Sequence, residues 1–244
     1  MNGKNVFPVI ARAMFFRPKQ SPRRVGDCFS KTRSAILSFL LSSFLLFSCS
    51  TSTPPSTPQV VSVYSSSFTQ PWLTELYDCA VRSSVTIRLS DSASAADIRL
   101  QIGEPEVASF AYQIDSEEIL IVTQRQSPIQ NLTLDEAQAL FMGLGDPSVQ
   151  VWVYASDTDV QKVFDQLVMN GRSVSSSAMV AVSPEQMSDT LVNQPNTVGI
   201  LPKHWKAGDS RVVFSAGTVP VLALTKSEPV GVVKNLLTCM QKSK

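Results

Sequence analysis

Ile119-Leu-Ile-Val-Thr-Gln-Arg-Gln-Ser-Pro-Ile-Gln-Asn-Leu-Thr-Leu-Asp-Glu-Ala-Gln-Ala-Leu-Phe-Met-Gly143 reads as a strand, a turn and a helix in succession. Residues 119–123 are aliphatic or β-branched, and with Glu118 they span the length of one strand. Thr133 can cap the helix, Asp135 and Glu136 complement its positive start, and Gly143 and Gly145 stop it. The same alternation extends both ways. Toward the N-terminus lie strands at 60–64, 84–89, 97–102 and 108–112, with a helix at 72–81 that opens after Pro71. Toward the C-terminus come a strand at 149–154, a helix at 159–169 ended by Asn170-Gly171, a strand at 179–182 and a helix at 184–192. Strands at 196–201, 211–214 and 220–224 and a closing helix at 231–240 complete the chain. Strands alternating with helices predict an α/β class with mainly parallel sheets covered by helices.

The 244 residues are 43% hydrophobic and 17% charged, the balance of a globular chain rather than a disordered one. The net charge of +1 conceals an asymmetry. Residues 1–48 hold eight of the 21 basic residues and one of the 20 acids, which leaves 13 against 19 and a formal net of −6 for the rest. An acidic body argues against nucleic-acid binding, which needs a basic face.

The basic leader ends at Arg33 and is followed by an uncharged apolar run through Ser48. That is the pattern of a signal peptide, too short at about 15 residues for a membrane-crossing helix. The run closes on Leu46-Phe47-Ser48-Cys49, which resembles the bacterial lipobox, although Phe47 is bulkier than the usual occupant. The resemblance implies cleavage after residue 48 and a lipid on Cys49, with residues 49–59, rich in Ser, Thr and Pro, as a tether. The expected location is the extracytoplasmic face of a cell membrane. Cys28 leaves with the leader, so Cys79 and Cys239 remain in an oxidising compartment, where a disulfide between the first and last helices is expected.

The order of elements also resembles the type 2 periplasmic substrate-binding proteins, particularly the phosphate-binding subunits of ABC transporters. The opening stretch is similar to that family's crossing strand and the helix that begins its second lobe. Residues 151–164 resemble its strand, Ser-Gly-Thr loop and helix, and 194–202 its Asn-Pro-Gly turn and strand. The resemblance covers about residues 60–240. It implies an α/β, two-lobed periplasmic-binding-protein-like fold with two crossing segments, lobe 1 at 60–123 and 218–244 and lobe 2 at 124–217. It further implies a monomer that binds a small ligand between its lobes and delivers it to an ABC permease.

Two turns offer hydroxyls beside a helix start, where unpaired N–H groups favour an oxyanion: Ser65, Ser66, Ser67 and Thr69 before the first helix, and Ser156, Asp157 and Thr158 before the helix at 159. Serines in such places are also ordinary helix caps. The chain departs from the family in carrying Asp157 for the glycine, with no arginine after it. It also has only Asp91-Ser-Ala-Ser-Ala-Ala96 where the family places a helix. The ligand therefore stays open between a phosphate-like anion, a cation, a zwitterion and something larger. The alternative is a degenerate binding-protein fold acting as a ligand-free interaction or sensor lipoprotein.

No motif for nucleophilic, metal or nucleotide chemistry is present, and no cofactor, metal site or enzymatic activity is expected. The one histidine, His204, reads as a surface residue, and Glu117-Glu118 as a solvated turn.

Overall fold

Two pairs of segments that read as separate short strands are each one long strand. In the computed structural model, which describes residues 59–242, β4 runs from Phe110 to Gln124 and β8 from Ser210 to Thr225. Their polar middles, Asp115-Ser-Glu-Glu118 and Ser215-Ala-Gly-Thr218, interrupt the apolar alternation without interrupting the backbone. The two strands pair antiparallel from Phe110↔Thr225 to Gln124↔Ser210, with irregularities at 113/115, 119/120 and 121/122 absorbing the extra residues. Gly217, at φ 134°, sits opposite Ile119 in a conformation that side-chain-bearing residues avoid.

The other elements are β1 (Gln59–Tyr64), α1 (Pro71–Arg82), β2 (Val85–Leu89), β3 (Ile98–Ile102), α2 (Leu134–Phe141), β5 (Gln150–Tyr154), α3 (Asp159–Phe164), β6 (Met179–Ala181), α4 (Pro184–Asn193), β7 (Thr197–Pro202) and α5 (Gly231–Lys242). All eight strands form one sheet in the order β2-β1-β3-β8-β4-β7-β5-β6. The sheet is mixed, not mainly parallel. Pairs within each outer group are parallel, and every pair that involves β4 or β8 is antiparallel. The long strands make this so, because each leaves one lobe and ends in the other.

In lobe 1, Val61, Val63, Ile98, Leu100 and Ile102 point to one face and are at most 2% exposed. Leu76, Cys79 and Ala80 of α1 and Leu236, Leu237 and Met240 of α5 cover them. The expected Cys79–Cys239 disulfide joins these helices, with a Cα separation of 5.8 Å. The opposite face carries the alternate residues Ser62, Arg99 and Gln101. Among the described residues no α-helix of lobe 1 covers it. The short segment after β2 is instead pinned by Asp97, whose carboxylate accepts from the Ser62 amide at 2.8 Å and hydroxyl at 2.6 Å.

Lobe 2 is built on β7, buried along its whole length between β4 and β5. Thr133 and Glu136 form a reciprocal capping box on α2, as their spacing predicts. The helix expected at 159–169 is α-helical only to Phe164. It continues as a π-helical turn over Asp165–Met169 and ends at Asn170 in the left-handed conformation. Among the described residues no helix is long and apolar enough to cross a membrane, and no His/Cys/Asp/Glu cluster could hold a metal ion. The expected signal peptide, the lipid site Cys49 and nearly all of the tether lie outside the described residues.

Candidate ligand cleft

The C-terminal end of β1 delivers the first hydroxyl turn to the space between the lobes. Its hydroxyls bond within the turn. Ser65 Oγ lies 2.8 Å from Thr69 Oγ1, Ser66 Oγ lies 3.5 Å from the same atom, and Thr69 Oγ1 donates to the Ser66 carbonyl at 3.2 Å. Thr69 is fully buried and Ser67 half-buried. On the facing wall Ser156 and Asp157 are exposed. Thr158 caps α3, accepting from the Gln161 amide at 3.3 Å while donating to the Ala155 carbonyl at 2.8 Å. No hydrogen bond links the two sets among the described residues.

What joins the two walls is aromatic. Phe68, 4% exposed, meets Tyr154 edge-on with ring centroids 4.7 Å apart. Its carbonyl accepts from Trp205 Nε1 at 3.3 Å. The Ser65–Thr69 turn therefore lies against the end of β5, and a phenyl ring rather than a hydroxyl fills the contact. Burial pushes the Tyr154 phenol well above its ordinary range, and its buried hydroxyl has no hydrogen-bond partner among the described residues.

Nearby lies a cluster built around Glu117, a residue expected in a solvated turn, and His204, which is exposed as expected. Glu117 is not in a turn. It sits in β4 at 1% exposure, with Oε2 2.6 Å from His204 Nδ1. Its other oxygen accepts from the Glu118 amide at 3.1 Å and the His204 amide at 3.4 Å. Burial raises the carboxyl's pKa, and the imidazole opposes the rise. His204, half-exposed, lies against Trp72 with ring centroids 4.9 Å apart and planes tilted by 56°, and Trp72 Nε1 donates to Asp115 at 2.7 Å. Glu118 accepts from Ser215 and Lys203, which hold its carboxyl below the usual range. The cluster thus ties α1 of lobe 1, the crossing strand and the turn after β7 together. Glu117 and His204 clasp the crossing strand to the turn after β7.

A cavity of about 540 Å³ opens beside the aromatic contact, between the uncovered face of β3, the loop after it and α3. Lobe 1 contributes Arg99, Gln101, Glu106 and Phe110, and lobe 2 contributes Asp159 and Lys162. Arg99 faces Asp159 at 3.8 Å, and Lys162 meets Glu106 at 2.7 Å. Burial raises the Asp159 carboxyl, opposed by Arg99 and the Ile102 amide. The lobes touch closely at this rim, since a Cβ on Gly103 would lie 2.4 Å from Val163 Cγ2. Of the hydroxyls singled out in the sequence, none lines this cavity; Ser156 lines a separate depression on lobe 2 with Asp165 and Arg172.

No protein-family profile matches the chain, and no curated protein matches it in sequence. Solved structures do match. A protein described as a phosphate ABC transporter substrate-binding protein with bound phosphate, from Clostridium perfringens, superposes with a TM-score of 0.66 at 14% identity, covering 76% of this chain and 94% of that one. The fold is periplasmic-binding-protein-like. An ABC-type phosphate transport receptor from Vibrio cholerae gives 0.58 at 13% identity over 75% and 94% of the two chains. The reduced form of the regulatory domain of OxyR2 from Vibrio vulnificus gives 0.58 at 10% over 75% and 93%. This periplasmic-binding-protein-like fold thus occurs in transport receptors and in a regulatory domain. At these identities the likeness speaks to fold alone.

Proposed function

We propose that this chain is an extracytoplasmic lipoprotein, anchored through Cys49, that binds a small solute between its lobes for delivery to an ABC permease. The inter-lobe cavity carries the reading. Its volume suits a small molecule, and opposite walls belong to different lobes, so a bound solute would stabilise their closure. The hydroxyls of Ser65, Ser66, Ser67, Thr69, Ser156 and Thr158, with Asp157, remain the proposed contacts for any ligand that displaces Phe68. A solute that binds only the folded chain raises its melting temperature, by an amount equivalent to about 2.7 kcal/mol at a hundred times Kd. Screening anions, amino acids and sugars by thermal shift tests the reading, and no response across all three classes refutes it. Loss of fatty-acid labelling in Cys49→Ala tests the anchor.

Phe68 favours a second reading. Its ring occupies the meeting point of the two hydroxyl turns, as expected of a binding-protein fold that works without a ligand as an interaction or sensor module. Insensitivity of the protein to every solute, together with retention of an envelope partner by the purified lipoprotein, would support it.

A further inference from the structure

We infer that the cavity between β3 and α3 takes a small zwitterion of the α-amino-acid or short-peptide class, its ammonium at Asp159 and its carboxylate at Arg99. The inference rests on the solute-binding reading above and names the ligand of that same site.

The argument begins with the missing helix. Because the segment after β2 is short, the Arg99 and Gln101 face of β3 is left to line a cavity. The charges around it balance. Arg99, Lys162 and Lys226 stand against Glu104, Glu106 and Asp159, three of each sign. An inorganic anion at Arg99 and Lys162 would meet the carboxylates of Asp159 and Glu106 within the same few ångströms. A simple cation would meet the reverse. A zwitterion presents one charge to each and adds no net charge.

The two ion pairs differ in depth. Glu106 and Lys162 meet at the rim, where Glu106 is 68% exposed and the contact is close. Arg99 and Asp159 meet further in and imperfectly. At 3.8 Å they are beyond hydrogen-bond reach, although the Asp159 side chain is only 17% exposed. Asp159 already accepts from the Ile102 amide, but its largely desolvated carboxylate has further lone pairs that face only a distant guanidinium and gain from a donor that approaches more closely. An ammonium inserted there supplies one, and the carboxylate on the same small molecule satisfies the guanidinium it displaces. Val107 and half-exposed Phe110 give the cavity an apolar flank, which suits an aliphatic or aromatic side chain.

The test is calorimetric titration of the full chain with L-leucine, L-phenylalanine and a leucine dipeptide, beside leucinamide, N-acetyl-leucine, inorganic phosphate and glucose. Zwitterions should bind, and blocking either charge should weaken binding roughly tenfold or more, the effect of removing a charged hydrogen bond. Arg99→Gln and Asp159→Asn should each reproduce that loss for the zwitterion, and Arg99→Lys should restore part of it. Circular dichroism confirms that each variant is folded. Binding of phosphate or glucose without the zwitterions overturns the ligand class and leaves solute binding standing. Binding of none of the probes, here and in the wider thermal-shift screen, overturns both.

Discussion

Replacing His204 with alanine isolates the electrostatics of the clasp between the lobes. Glu117 is almost fully buried, and its shortest contact is the imidazole at 2.6 Å; two backbone amides at 3.1 and 3.4 Å remain after the substitution. Removing one partner of a wholly buried ion pair costs about 3–5 kcal/mol. The His204 side chain is 45% exposed, so water can enter the space it leaves. The expected loss is therefore smaller, about 1.5–3 kcal/mol, the range for a hydrogen bond to a charged group. Its pH dependence has a definite sign. Burial already raises the Glu117 carboxyl, and the variant loses the group that opposed the rise. A carboxyl whose folded pKa lies above its unfolded value favours the fold when protonated, and that advantage fades as pH climbs through the folded pKa. The deficit of His204→Ala relative to the parent should thus shrink toward about pH 4.5 as Glu117 takes up its proton. Adding Glu117→Gln to the variant should recover stability at the higher pH, because an amide carries no charge to strand. Urea unfolding of the parent and both variants, at constant m, measures this. A deficit that is the same at every pH, or a double variant no more stable than His204→Ala in alkali, refutes the reasoning.

Three further outcomes are expected. Cys79→Ser opens a covalent loop spanning 160 residues, for which loop entropy gives about 5 kcal/mol as an upper value; urea midpoints should fall and the denatured protein should show a new thiol at Cys239. Gly103→Ala places a methyl against Val163 at φ +82° and should cost about 2–4 kcal/mol, part of it recovered by adding Val163→Ala. Phe68→Ala empties the contact with Tyr154 and should destabilise by about 3–5 kcal/mol, again read from urea unfolding.

Local chemistry was legible wherever its partners lie close in the chain. Thr133 and Glu136 announced α2 from three residues apart, and the short stretch at 91–96 correctly implied that a helix was absent. The long strands were not legible, because Asp115–Glu118 looks like a break in pattern. What keeps it extended is pairing with residues 218–221, a tertiary fact. Glu117 shows the same limit more sharply. Its burial depends on His204, 87 residues away, which in turn lies against Trp72, so nothing in its neighbourhood marks it as interior. Phe68 among four hydroxyl residues was a visible oddity. Only the fold reveals that its ring rests on Tyr154.

Lobe 1 takes its first strands and α1 from the beginning of the described chain and its last strand segment and α5 from the end. The part begun earliest is consequently finished last. Until β8 arrives, the outer edge of β3 has unfilled backbone donors and acceptors, and Cys79 waits as a thiol for a partner synthesised 160 residues later. During that interval the chain is vulnerable to strand exchange and to mispaired sulfur, and its refolding yield under oxidising conditions should depend on how quickly the intervening segment collapses.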